Sequence, residues 1–182
     1  MNVAPLLVAA LLALPFVPEA DSADVSEVRS VAAFQAVEFL GAGHLIVAAG
    51  DPQSVTVTAD APRLSGIRTT VRDGVLRIET SGSQWRDGNL EVVVHLPTLT
   101  ELTVLGAAQA ELGGMDGGRL RIVLRGASQL RASGRVDHLG TQFEGASQAD
   151  LRELSAGSVD LQVRGAAQVQ LPASAPRAAT RG

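Results

Sequence analysis

From Thr100 onward, apolar residues fall at every second position, and the whole pattern then repeats. Four glycines mark the repeat, Gly106, Gly126, Gly145 and Gly165, at spacings of 20, 19 and 20 residues. Two positions before each stand Val104, Leu124, Phe143 and Val163, and four before stand Leu102, Ile122, Thr141 and Leu161. Six before stand Thr100, Leu120, Leu139 and Val159. Period two with one apolar set predicts strands that bury one face. After each glycine comes Ala (107, 127, 146, 166), then Ala108, Ser128, Ser147 or Ala167, then Gln109, Gln129, Gln148 or Gln168. Apolar alternation resumes at Ala110, Leu130, Ala149 and Val169, and again at Leu112, Ala132, Leu151 and Leu171. Met115, Val136 and Leu154 offer a third apolar contact further on.

Each repeat therefore reads as strand, glycine corner, strand and loop. A constant period near twenty predicts coils stacked in register, an all-β single domain built as a parallel β-helix solenoid. The hexapeptide left-handed helix fits less well, because its period is a multiple of six. The glycine permits a backbone turn where a Cβ would clash. Equivalent residues of stacked coils lie ~4.8 Å apart, so the four glutamines are expected to form a structural amide ladder. The competing reading is an amide row that grips a sugar.

Upstream the pattern is weaker. Val37 and Phe39 precede Gly41, Ala42 follows it, and His44 takes the glutamine place. Segments 55–60, 67–80 and 89–97 all read as strands. Asp73-Gly74 is a hairpin-type turn signal, so the first half is expected to be partly antiparallel or looped. The β-helix domain is assigned to 34–171 and a disordered tail to 172–182. Val3 to Val17 is an apolar run followed by small and acidic residues. It reads as a signal peptide over 1–22, with a linker or cap at 23–33. The alternative is an uncleaved anchor or a buried helix, since no Lys or Arg precedes the run. An exported, periplasmic or surface location follows, with no membrane span after cleavage.

Composition narrows the chemistry. The 182 residues are 46% hydrophobic but only 3% aromatic, so small and branched side chains must fill the core. A net charge of −4 with no basic run gives no nucleic-acid footprint. The absence of Cys excludes disulfides, thiolate metal sites and a cysteine nucleophile.

"GIRTTVRDGVLRIET", then "LEVVVHLPTLTELTVLGAAQAEL", then recurring "GAS" resembles the head GIN domain family of candidate auto-transporter adhesins, from about Phe34 to Leu171. The resemblance implies an exported bacterial protein with a right-handed parallel β-helix, adhesin-like function and homotrimeric association. It brings no catalytic residues. No literal Gly-Ile-Asn is present; Gly66-Ile67-Arg68 comes nearest.

The search for reactive groups gives little. In stacked coils Glu111, Arg131, Asp150 and Gln170 would form one column, Leu105, Arg125, Glu144 and Arg164 another, and Glu101, Arg121, Gly140 and Asp160 a third. Neighbouring charges alternate in sign, as stacking demands. A carboxylate pair of the inverting-glycosidase kind, Glu111 with Asp150, is the enzymatic alternative. His44, His95 and His138 lack any metal-ligand or catalytic motif. No catalytic residue, metal or cofactor is expected. Trp85, Arg86 and Asp87, in the polar loop 80–89, are the candidate ligand-binding residues. The expected function is a non-enzymatic binding module for a glycan or an envelope protein. A polysaccharide lyase or hydrolase on the same scaffold, or an envelope structural or signalling protein, is the alternative.

Overall fold

The computed structural model describes residues 24–80, 89–171 and 179–181. Strands β1 (Asp24–Val28), β2 (Ala36–Ala49) and β3 (Ser54–Asp60) lead to a single helical turn, α1 (Ala61–Leu64). Next come β4 (Ile67–Arg72), β5 (Val75–Thr80) and β6 (Leu90–Leu96). Four long strands follow: β7 (Glu101–Asp116), β8 (Arg119–Gly126), β9 (Gln129–Gly145) and β10 (Gln148–Gly165). The short β11 (Gln168–Gln170) and β12 (Ala179–Arg181) complete the set. All twelve belong to one sheet, ordered β1-β3-β6-β2-β7-β8-β9-β10-β11, with β5 also on β2, β4 on β5 and β12 on β10.

That topology corrects the expected architecture. The chain is all-β, but it is not a right-handed parallel β-helix solenoid with coils of about 20 residues. It is a mixed sheet that does not close. Three pairings are antiparallel: β1 on β3, β3 on β6 and β4 on β5. The reason is local. Asp73 and Gly74 both adopt positive φ, 52° and 75°, the geometry of a tight hairpin turn, and they fold β4 back onto β5. Period-two alternation reports a half-buried strand; it is silent about the direction of the neighbour.

From β2 onward the long strands run parallel. Gly41 pairs with Gly106, Gly106 with Gly126, Gly126 with Gly145 and Gly145 with Gly165, so five glycines form one column. His44, Gln109, Gln129, Gln148 and Gln168 form a second column. Apolar residues on both sides of the glycine line, such as Phe39 and Leu45, or Leu124 and Leu130, belong to one core cluster. The sheet therefore bends along the glycines and encloses its own apolar face. Phe39 and Phe143 are the largest fully buried side chains, and Val, Leu, Ile and Ala fill most of the rest. Met115, Val136 and Leu154 are buried in the same cluster.

The bend explains its own composition. Gly126 has φ +107°, and a Cβ there would lie 2.5 Å from the Gly106 carbonyl oxygen. That oxygen cannot retreat, because it accepts the Ala127 N–H at 2.9 Å. The ladder thus continues through the bend only if the corner lacks a side chain. Inside the bend the next inward position is buried, which is why it carries only Ala108, Ser128, Ser147 or the half-buried Ala167. Ser128 and Ser147 satisfy their hydroxyls on the carbonyls of Gly106 (3.1 Å) and Gly126 (3.4 Å).

The first and last described segments both reach the sheet. β1 lies within the segment expected as a linker or cap and covers the edge of β3. Residues 179–181, in the expected tail, pair with Asp160–Gln162.

Candidate functional site

The outward face carries the polar residues, and a number of its charges are paired within the chain. In the column just before the glycines, Glu144 lies between Arg125 (3.1 Å) and Arg164 (3.5 Å). Gln142 extends this network: its Nε2 donates to Glu144 at 2.8 Å, and its Oε1 accepts from Arg121 at 3.4 Å. Near β5, Arg77 bridges Glu38 (3.2 Å) and Glu79 (2.9 Å).

The carboxylates considered for catalysis are engaged separately. Glu111 lies 3.6 Å from His44 Nε2, and His44 Nδ1 lies 3.7 Å from Glu91. Asp150 is in register with Arg131, but its ion pair is with Arg152, two residues on, at 2.6 Å. Hydrogen bonds from the Arg152 side chain and backbone hold the Asp150 carboxyl down at about 2. The Asp-x-Arg spacing on one strand was the available signal for this pair, and reading only the stacked columns missed it. Among the described residues, no three or more His, Cys, Asp or Glu side chains are grouped to hold a metal ion. No described helix is long and apolar enough to cross a membrane.

The glutamine column is exposed along its length. Among the described residues its hydrogen bonds across rows come from backbone groups, Gln148 N to Ser128 O and Gln168 N to Ser147 O, both 2.9 Å. No amide-to-amide bond between these side chains is present there. Trp85, Arg86 and Asp87 lie outside the described residues.

One place on the face differs. Arg119 and Arg121 on β8, His138, Gly140 and Gln142 on β9, and Ser158, Asp160 and Gln162 on β10 all project outward, alternating with Leu120, Leu139, Val159 and other buried residues. Strand register sets them in rows: Arg119 beside His138 beside Ser158, Arg121 beside Gly140 beside Asp160, and Gln142 beside Gln162. Gly140 stands at the centre, and a Cβ on it would meet nothing within 4 Å. The missing side chain leaves a depression of about 450 Å³ ringed by these polar groups. On its rim, His138 Nδ1 and Ser158 Oγ are 2.6 Å apart. Among the described residues Arg119, Arg121 and Asp160 take part in no ion pair, so two cations and one anion line this hollow.

The model of the family described as "Putative auto-transporter adhesin, head GIN domain" matches residues 33–180. The chain belongs to this head GIN domain family. The head GIN segment contains the whole bent sheet from β2 through β11, including the hollow at Gly140.

Solved structures share the head GIN fold. One from Bacteroides fragilis, named a putative adhesin, is 11% identical with a TM-score of 0.62, covering 83% of this chain and 81% of that one. One from Parabacteroides distasonis, named a putative lipid binding protein, is 13% identical with a TM-score of 0.58, covering 82% and 74%. A putative adhesin from Parabacteroides merdae is 17% identical with a TM-score of 0.53, covering 79% and 70%. At these identities the likeness is one of fold. The search of curated proteins finds no match.

Proposed function

We propose that this head GIN domain is an exported, non-enzymatic binding module of the bacterial cell envelope, which presents the outward face of its parallel rows to a glycan. The observation that carries this reading is the contrast on that face. The charge column just before the glycines is paired internally, Glu144 between Arg125 and Arg164, while a polar hollow of monosaccharide scale holds Arg119, Arg121 and Asp160 outside any ion pair among the described residues. Small-ligand sites combine a concave recess with a few convergent polar groups that fix orientation. The family's adhesin description supports the same reading. The signal-like segment 1–22 supports export, and Trp85, Arg86 and Asp87 remain a proposed second contact with the ligand. We assign the exposed glutamine column to structure, as a set of equivalent cross-strand neighbours.

The test is binding of the purified protein to an array of glycans and cell-wall polysaccharides, with the supernatants assayed for released oligosaccharides. Retention of a glycan without release is the expected result. Release of oligosaccharides would overturn the non-enzymatic reading, and an array with no retained glycan would overturn the glycan reading.

A further inference from the structure

We infer that the hollow at Gly140 binds an acidic sugar residue, a uronic or sialic acid, through its carboxylate and ring hydroxyls. This rests on the glycan-binding reading above and specifies its ligand and its residues.

The chemistry of the two walls is different. Arg119 and Arg121 sit two residues apart on β8, so both guanidinium groups stand on the same side of the strand along one wall. Guanidinium matches carboxylate with paired, charge-assisted hydrogen bonds, and two neighbouring cations without acidic partners raise the local potential for an anion. The opposite wall carries Asp160 and Gln162 on β10. A carboxylate accepts from hydroxyls, and an amide both donates and accepts. The two walls are two strand spacings apart, ~9.6 Å, which leaves room for one pyranose ring over Gly140. A carboxylate on one edge of the ring and hydroxyls on the other complement this polarity. A neutral sugar would leave the arginine wall unmatched.

The other recesses carry less. The hollow beside β4 and β5 also holds two arginines outside any ion pair among the described residues, Arg68 and Arg72, but Glu38 and Glu79 line it with them and hold Arg77, so carboxylates already face its cations. In the hollow around Phe34 and Gln53 the Gln53 amide is already engaged by the backbone, its Oε1 accepting from Phe34 N at 3.2 Å and its Nε2 donating to Ala32 O at 3.1 Å. At Gly140 the glycine has no structural demand to explain it, since it shows neither positive φ nor a close neighbour.

The proposal is tested by calorimetric titration of the protein with oligogalacturonate, oligomannuronate, a glucuronate-containing disaccharide repeat and sialyllactose, each beside its carboxyl-reduced counterpart. Two variants are compared with the wild type: Arg119→Gln combined with Arg121→Gln, and Gly140→Thr, which fills the hollow. The expected result is binding of at least one acidic sugar, weakened about tenfold or more by carboxyl reduction and by each variant, with melting temperatures no lower than wild type. Equal affinity for the reduced sugar overturns the proposal, as does undiminished binding by folded variants. Binding to none of the acidic probes also overturns it. In that case retention of other glycans on the array leaves the binding-module reading standing, and a blank array removes both.

Discussion

Ser128, fully buried inside the bend, donates its hydroxyl to the carbonyl oxygen of Gly106 at 3.1 Å. The same oxygen accepts the backbone N–H of Ala127 at 2.9 Å. The hydroxyl is thus a second donor on an already satisfied carbonyl, and Ala108 and Ala167 occupy equivalent places elsewhere in the repeat. Ser128→Ala is expected to lower stability by about 1 kcal/mol, the usual net value of one hydrogen bond. Ser128→Val should be worse, because added methyl groups meet a packed interior. Urea denaturation of both variants checks the order.

Gly126 and Gly140 are the same residue type with opposite expected responses. Gly126→Ala places a Cβ 2.5 Å from the Gly106 carbonyl oxygen at φ +107°. A loss of about 2–4 kcal/mol is expected, from strain and a broken ladder together. Gly140→Thr puts a β-branched residue into an ordinary strand position with open space around it. A gain of about 0.5–1 kcal/mol is expected, because glycine in a strand interior is the costlier choice. Thermal melts of the two variants should move in opposite directions.

The Asp150 carboxyl is held at about 2 in the folded chain, first by its side-chain hydrogen bond from Arg152 and then by the Arg152 backbone. A depressed carboxylate pKa gives stability that is present above the unfolded value, near pH ~4. That stability is lost as pH falls through the folded value. Between pH ~4 and 2 the wild type should therefore lose stability faster than Asp150→Asn. Melting temperatures across this window, with the carboxyl followed by NMR, measure both the midpoint and the difference.

Gln129 is exposed, flanked in register by Gln109 and Gln148. Gln129→Ala is expected to cost about 0.5 kcal/mol, the scale of one cross-strand neighbour, and to leave glycan retention unchanged. Reduced retention on the array would move the glutamine column from structure to recognition.

The repeat was legible because its physical cause lies in residue size: a corner that admits no Cβ forces Gly at 106, 126, 145 and 165, and a crowded inner position forces Ala or Ser beside it. The first half was legible as strands and illegible as topology. Val55, Val57, Val92 and Val94 alternate whether their neighbours run parallel or antiparallel, and here β3 and β6 run antiparallel. The hollow was hidden for a different reason. Gly140 appeared as a gap in a column of charges, and what makes it a site is the simultaneous placement of side chains from three strands around it. Arg152 escaped because a register shift between Asp150 and Glu153 turns the strand away from simple stacking.

The glycine column also sets a rule for how such a chain can change length. Each row hands its corner carbonyl to the next row's amide, from Gly106 to Ala127, from Gly126 to Ala146 and from Gly145 to Ala166. One corner is chemically interchangeable with another, so a duplicated segment of one whole period would meet the same corner hydrogen-bond partners between existing rows. A single inserted residue within a strand cannot, since it would turn the inward set outward. Growth by entire modules, with freedom reserved for the connecting loops, is the evolutionary grammar that this bend imposes.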